Sequence, residues 1–181
     1  MSGNWIFVCG PSGAGKDSVI ASAQQRLAQR KDILFARRVV TRPVQPGSDH
    51  DALTEQDFLG LLEGGGLRWH WQAHGFYYGI EERYAADVQA GSRVVVNGSR
   101  AHFLGLAPSP TIRMVQITTQ PQELAIRLAQ RGRDSPSAVS ARLHRNALFA
   151  DIKADYEIVN DASLAIAGQC LADYLTDDSS R

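Results

Sequence analysis

Cysteine is scarce in this 181-residue chain, with only Cys9 and Cys170. Two thiols so far apart do not build a disulfide framework, and a reducing compartment, the cytoplasm, is the expected location. Net charge is missing as well, because 19 basic residues meet 19 acidic ones. A neutral chain argues against nucleic acid as partner. No stretch approaches the ~18 apolar residues that a membrane span needs. The opening MSGNW lacks the charged start and apolar follow-on of a secretory signal. Neither a membrane nor a leader is therefore expected, and nothing in the sequence names a protein partner. Lysine is the fourth shortage: three stand against sixteen arginines. That bias reflects either codon usage or a need for guanidinium forks that grip phosphate oxygens.

What is present describes an ordinary globular domain. Hydrophobic residues make up 44% and charged residues 21%, enough for one domain with a substantial core. Asn4 to Cys9 is a short apolar run ended by Gly10, as a buried strand should be. Over Lys16 to Arg30, Val19, Ile20, Ala23 and Leu27 recur at helical spacing. Ile33 to Val40 reads as a second strand. The segment RPVQPGSDHD then has the chemistry of a loop. Thr54 opens a helix, with Asp57 three residues on as a relative of the capping box, and glycines 64–66 stop it. Leu67 to Ala73 and the GFYYG that follows suit strands of a small sheet rich in Trp and Tyr. Beyond it, Arg93–Asn97, Ile112–Ile117 and Tyr156–Val159 read as strands. Helices are expected from Pro121 to about Arg131, over Val139–Phe149 and over Ala162–Leu175. Strands separated by helices imply an α/β fold, a parallel sheet flanked by helices on both faces.

The stretch GPSGAGKDS, Gly10 to Ser18, joins the first strand to the first helix. It reads as G-x-x-x-x-G-K-[ST] except that Asp17 stands at the hydroxyl position. Such a loop turns successive backbone N–H groups around an anion at the positive end of a helix. Gly10, Pro11, Ser12, Gly13, Ala14, Gly15, Lys16, Asp17 and Ser18 are the candidate ATP-binding residues. Lys16 supplies a point charge for the β- and γ-phosphates, and Ser18 a hydroxyl for the α-phosphate. The hydroxyl that Asp17 replaces normally helps hold Mg²⁺. A carboxylate is a harder and more highly charged ligand for the same ion, so Asp17 is the candidate Mg²⁺ ligand, directly or through water. Its other reading is a first-turn acid that favours the helix dipole.

With these motifs in order, the chain resembles the guanylate-kinase-like branch of the P-loop kinases over nearly its whole length. GPSGAGK resembles the family's loop, Thr41-Arg42 the end of its TTR element and GFYYG its tyrosine pair. RLAQRGRDS through ARLHRNA resembles its lid, and IVND at 158–161 its late strand end near the adenine. The resemblance implies the P-loop kinase fold, with a core at about 1–40 and 92–181. It also implies an inserted acceptor-binding lobe at about 41–91 and a mobile lid at about 131–142. Four departures fall on base and acceptor recognition. Gln45 replaces a second arginine, Trp69 the guanine-reading glutamate and Ile80 a serine, while NGSRAH (Asn97 to His102) replaces an acidic strand end. Arg38 appears where a small hydroxyl residue is expected. A base-reading site that loses acids and gains arginine suits a second anionic group.

The combination resembles most closely the ribose 1,5-bisphosphate phosphokinases of bacterial phosphonate catabolism. It implies transfer of the ATP γ-phosphoryl to that sugar phosphate, giving 5-phosphoribosyl 1-diphosphate and ADP. Arg131 and Arg142 match the family's phosphate-contacting lid arginines and join Lys16 as catalytic candidates, with weaker claims for Arg127 and Arg133. Arg38, Arg42 and Tyr77 or Tyr78 are candidates for gripping the small-molecule sugar phosphate. Asn97, Ser99, Arg100 and His102 are expected in the same pocket. Asp49 and Asp51 either orient sugar hydroxyls or are solvated. His70 and His74 lie on an apparent strand, which argues against a helical metal pair. Two rival readings remain. A nucleoside monophosphate kinase is opposed by the missing base-reading acids. A non-catalytic interaction module is opposed by the intact cradle from Gly10 to Lys16.

Overall fold

The computed structural model describes residues 3–44, 49–130 and 152–177, with residues 140, 144, 146 and 149 between the last two spans. Five parallel strands form the central sheet: β1 (Trp5–Cys9), β2 (Ile33–Ala36), β7 (Arg93–Asn97), β8 (Ile112–Thr118) and β9 (Tyr156–Val159). Their spatial order is β2-β7-β1-β8-β9. All five residues of β1 are buried, which explains its unbroken apolar run, since a central parallel strand is covered on both faces. Alternation divides its side chains between two cores. Ile6 and Val8 pack with Val19 and Ala23 of α1 (Lys16–Arg26) and with Ala167, Leu171 and Leu175 of the closing helix, α6 (Leu164–Thr176). Trp5, Phe7 and Cys9 face the opposite core, with Val94, Val96 and Met114.

A second sheet covers that opposite core. Its order is β4-β3-β6-β5, from β3 (Arg38–Val40), β4 (His50–Ala52), β5 (Leu67–Ala73) and β6 (Phe76–Glu81). β3 runs parallel to β4 and antiparallel to β6, and β6 is antiparallel to β5. Helix α2 (Glu55–Glu63) carries the expected cap: the Thr54 hydroxyl oxygen accepts from the Asp57 N–H at 3.1 Å. The two-residue turn between β5 and β6 is His74-Gly75, both at positive φ (53° and 78°), the geometry of a tight hairpin.

Five features differ from the sequence reading. The run Ile33 to Val40 is two strands in different sheets, divided at Arg37, whose backbone N–H donates to the Tyr84 hydroxyl at 3.0 Å. α1 stops at Arg26 rather than Arg30, because Leu27 is the last apolar residue of its buried stripe and the polar tail has nothing to pack on. β4 lies inside the stretch read as loop. Two short helices, α3 (Tyr84–Gln89) and α4 (Arg100–Leu104), also went unread. The expected helix over Val139–Phe149 lies largely outside the described residues, whereas the helix from Pro121 is present as α5 (Pro121–Gln130). No described helix is long and apolar enough to cross a membrane.

Candidate active site

β1 delivers the chain into the loop at residues 10–15, where Gly10 and Gly15 have no room for a side chain. Gly10 has φ 152°, and a Cβ on it would stand 2.1 Å from the Ile117 carbonyl oxygen on β8. Gly15 is left-handed (φ 85°, ψ 21°), and its Cβ would stand 2.6 Å from Nδ2 of Asn160. That amide is in place for a reason: Asn160 Nδ2 donates to the Ala14 carbonyl at 2.8 Å, tying the loop to the end of β9. Inside the loop, the Ala14 N–H and Lys16 Nζ both donate to the Pro11 carbonyl, at 3.2 and 3.4 Å. Gly15 is the N-cap of α1 and offers no side-chain cap. The first-turn N–H groups therefore remain open to an anion, at the positive end of the helix. A loop packed so closely on its supports that Gly10 and Gly15 have no space for a Cβ, at an uncapped helix start, fits the phosphates of a nucleotide.

Beside this cradle lies a cleft of about 490 Å³ between the central sheet and the small one. Gly10, Ser12, Lys16 and Asp17 form one wall; Arg38, Arg42 and Tyr78 from the small sheet face them. Asn97, Ser99 and Arg100, where β7 passes into α4, close the end. A second cavity of about 400 Å³ on the far side of the loop is lined by Gly13, Gly15, Ser18, Arg127 and Asn160.

Four cations and one carboxylate set the charge of the cleft. Burial lowers the pKa of Lys16, opposed by Asp17 and assisted by Arg38. Burial likewise lowers that of Arg38, opposed chiefly by Asp17 and then Tyr78. The Arg38 side chain is only 12% exposed, and its Nη2 stands 3.7 Å from Asp17 Oδ1. The same oxygen accepts a hydrogen bond from Asn97 Nδ2. The Nε atoms of Arg38 and Arg42 are buried with no partner among the described residues. Donors left this way in a cationic cleft suit an arriving anion. Arg100 is tied down: Nη1 donates to Asn146 Oδ1 at 2.6 Å, and its guanidinium lies 4.7 Å from the Phe149 ring centroid. Burial lowers the Arg100 pKa against the opposing effect of Cys9.

The remaining sequence candidates separate. Alternation along β6 sends its two tyrosines apart. Tyr78 reaches the cleft and stacks on Trp71 at 5.6 Å, whereas Tyr77 stacks on Phe58 at 5.5 Å, outside the cleft-lining set. His102 does not line the cleft; its ring stacks on Trp71 at 4.8 Å, with Nε2 buried and unpartnered among the described residues. Burial lowers the His102 pKa, helped by His70. Asp49 and Asp51 both pair with Arg37 at 2.5 Å. Arg131, Arg133, Arg142 and Gln45 lie outside the described residues. The sequence reading missed Gln72 and His74, which line the cleft from the β5–β6 hairpin; the HG dipeptide between two aromatic strands was the available signal.

Two of the departures acquire a physical role. Trp69 packs edge-on against Trp5 and Phe7, with centroids 4.5 and 5.1 Å apart, and Ile80 is fully buried in the same core. Both positions serve the interface between the sheets, and neither lines the cleft.

No protein-family model matches the chain. It is 40% identical over 176 residues to the ribose 1,5-bisphosphate phosphokinase PhnN of Chromobacterium violaceum, covering 96% of this chain and 94% of that one. It is 40% identical over 167 residues to the enzyme of the same name from Acidiphilium cryptum, covering 92% and 89%. Among solved structures, guanylate kinase from Anaplasma phagocytophilum superposes with a TM-score of 0.69 at 17% identity, over 96% of this chain and 85% of that one. That likeness shows the fold: a parallel sheet flanked by helices, as in the guanylate-kinase-like P-loop kinases. With two-fifths identity over nearly the full length of both chains, the protein belongs to the ribose 1,5-bisphosphate phosphokinase (PhnN) family of kinases.

Proposed function

We propose that this chain transfers the γ-phosphoryl group of ATP to the 1-phosphate of ribose 1,5-bisphosphate, yielding 5-phosphoribosyl 1-diphosphate and ADP. The cleft carries the reading: Lys16, Arg38, Arg42 and Arg100 surround a space beside the phosphate cradle, and one carboxylate opposes them. A doubly phosphorylated sugar matches that charge, whereas a nucleobase would find Trp69 and Ile80 already packed into the core.

An acceptor phosphate is ionised at neutral pH, so its oxygen attacks the γ-phosphorus without a general base. The new P–O bond forms as the bond to the β–γ bridging oxygen breaks, and ADP leaves with that electron pair. Positioning and charge stabilisation are then the whole task of the protein. The loop N–H groups and Lys16 hold the ATP phosphates. Arg38 and Arg42, with donors to spare, hold the acceptor phosphates, and Tyr78 borders them. Arg131 and Arg142 are the proposed lid contacts to the transferring group. Asp17, about half exposed at the mouth of the cradle, is the residue that would hold Mg²⁺ together with phosphate oxygens. One or two carboxylates plus phosphates are the usual environment of that ion. Its chemistry there is to neutralise charge on the β- and γ-phosphates.

Phosphorus NMR of the purified protein with Mg²⁺·ATP tests the reading. With ribose 1,5-bisphosphate a sugar diphosphate signal is expected, and with GMP none. Production of GDP at a comparable rate would overturn it.

A further inference from the structure

P-loop enzymes commonly divide the holding of Mg²⁺ between a loop Ser or Thr and an aspartate at the end of a neighbouring core strand. In this chain the loop position is Asp17. One of the two strands flanking β1 is β7, paired in parallel with Val8 opposite Asn97, and Asn97 is its last residue. The two side chains touch, Asn97 Nδ2 donating to Asp17 Oδ1. We propose that Asn97 is a positioning residue for the metal-nucleotide rather than an acceptor contact: acid and neutral partner have exchanged places between loop and strand.

The exchange conserves what the site offers, one carboxylate and one neutral oxygen-bearing group, while moving the negative charge onto the loop. Asparagine is the residue the new arrangement calls for. Its N–H fixes the rotamer of the Asp17 carboxylate, and its amide oxygen keeps acceptor capacity. An aspartate at 97 would set two carboxylates in contact and raise the pKa of one of them. Arg38 Nη2, 3.7 Å from the same Asp17 oxygen, holds the carboxylate from the small-sheet side. Asp17 is thus oriented from two directions before any cation arrives. Ligand orientation by a hydrogen-bonded neighbour commonly accounts for roughly 10- to 100-fold in metal affinity.

The assignment rests on the proposed use of a metal-nucleotide but not on the identity of the acceptor. The test therefore reads binding without an acceptor: free Mn²⁺ counted by electron paramagnetic resonance during titration into protein saturated with ADP. Asn97→Ala is expected to weaken Mn²⁺ binding roughly tenfold, with metal-free ADP affinity unchanged. Asp17→Ser should weaken it at least as much, and Asp17→Ser with Asn97→Asp, which restores the common arrangement, should recover most of that loss. Wild-type Mn²⁺ binding by Asn97→Ala, with its KM for ribose 1,5-bisphosphate raised instead, would return Asn97 to the acceptor and overturn the proposal. So would a double variant no tighter than Asp17→Ser. Should the sugar prove not to be phosphorylated, the function falls while these titrations still decide the role of Asn97. Thermal melting of each variant verifies folding, and Asn97→Ala alone suffices if the double variant does not fold.

Discussion

Replacing Asn160 by alanine removes the side chain that holds the phosphate loop from behind. Asn160 is 6% exposed, and its amide satisfies the Ala14 carbonyl at 2.8 Å. Ala14 is itself fully buried, so no water replaces the lost donor without opening the loop. A buried carbonyl left unpaired costs about 1–3 kcal/mol. In a domain of this size each kcal/mol lowers the melting temperature by roughly 2–4 °C, so a fall of about 2–12 °C is expected. The loop feels the change directly, because the missing amide is also the group nearest to Gly15, where the cradle passes into α1. Loss of one charge-assisted N–H contact to phosphate is worth about 1.5–3 kcal/mol, which corresponds to ADP binding about ten- to a hundredfold weaker in calorimetric titration. Asn160→Asp sharpens the test, since it sets a carboxylate against a carbonyl and is expected to be worse than alanine on both measures. An Asn160→Ala protein with wild-type melting temperature and wild-type ADP affinity would refute the view that this amide props the cradle.

Arg38→Ala is expected to lower kcat/KM for the acceptor on the order of 10- to 100-fold by removing charged hydrogen bonds to phosphate, with the KM for ATP changed far less; steady-state kinetics in both substrates measures the split. Burial raises the Cys9 thiol from 9.0 to about 12, against the lowering influence of Lys16 and Arg100. As pH climbs past 9 the unfolded chain loses this proton while the folded chain keeps it, so stability falls between about pH 9 and 12; urea midpoints of Cys9→Ala across that window should lack this share of the decline.

The cradle was legible because its constraints are local. Strand, glycines and lysine follow one another in sequence, and the backbone of Gly10 and Gly15 explains why no other residue serves there. The small sheet was harder to read, because its strands are set by tertiary pairing. His50–Ala52 is polar and follows a Pro-Gly stretch, yet it pairs with β3, and His50 is wholly buried with Nε2 donating to the Arg42 carbonyl at 2.9 Å. Nothing in a local pattern shows that partner. The division at Arg37 was hidden for the converse reason: apolar residues resume at Val39 after Arg37-Arg38, and apolarity does not say to which sheet a residue belongs. Tyr77 and Tyr78 could not be separated until the register of β6 against β5 was known, with Tyr78 opposite Trp71. Trp69 and Ile80 were recognised as departures, but their use in joining the two sheets depends on Trp5 and Phe7, more than sixty residues away in sequence.

Arg37 alone separates β2 from β3, and so short a joint has a genetic consequence. β2 is pinned by its pairing of Ile33 with Arg93, so the chain reaches the small sheet with its residue count already settled. One codon inserted or deleted at the joint would slide β3 by about 3.3 Å and turn its side chains over, bringing a different residue to the spot from which Arg38 addresses Asp17. The joint should therefore accept many substitutions while rejecting any change of length.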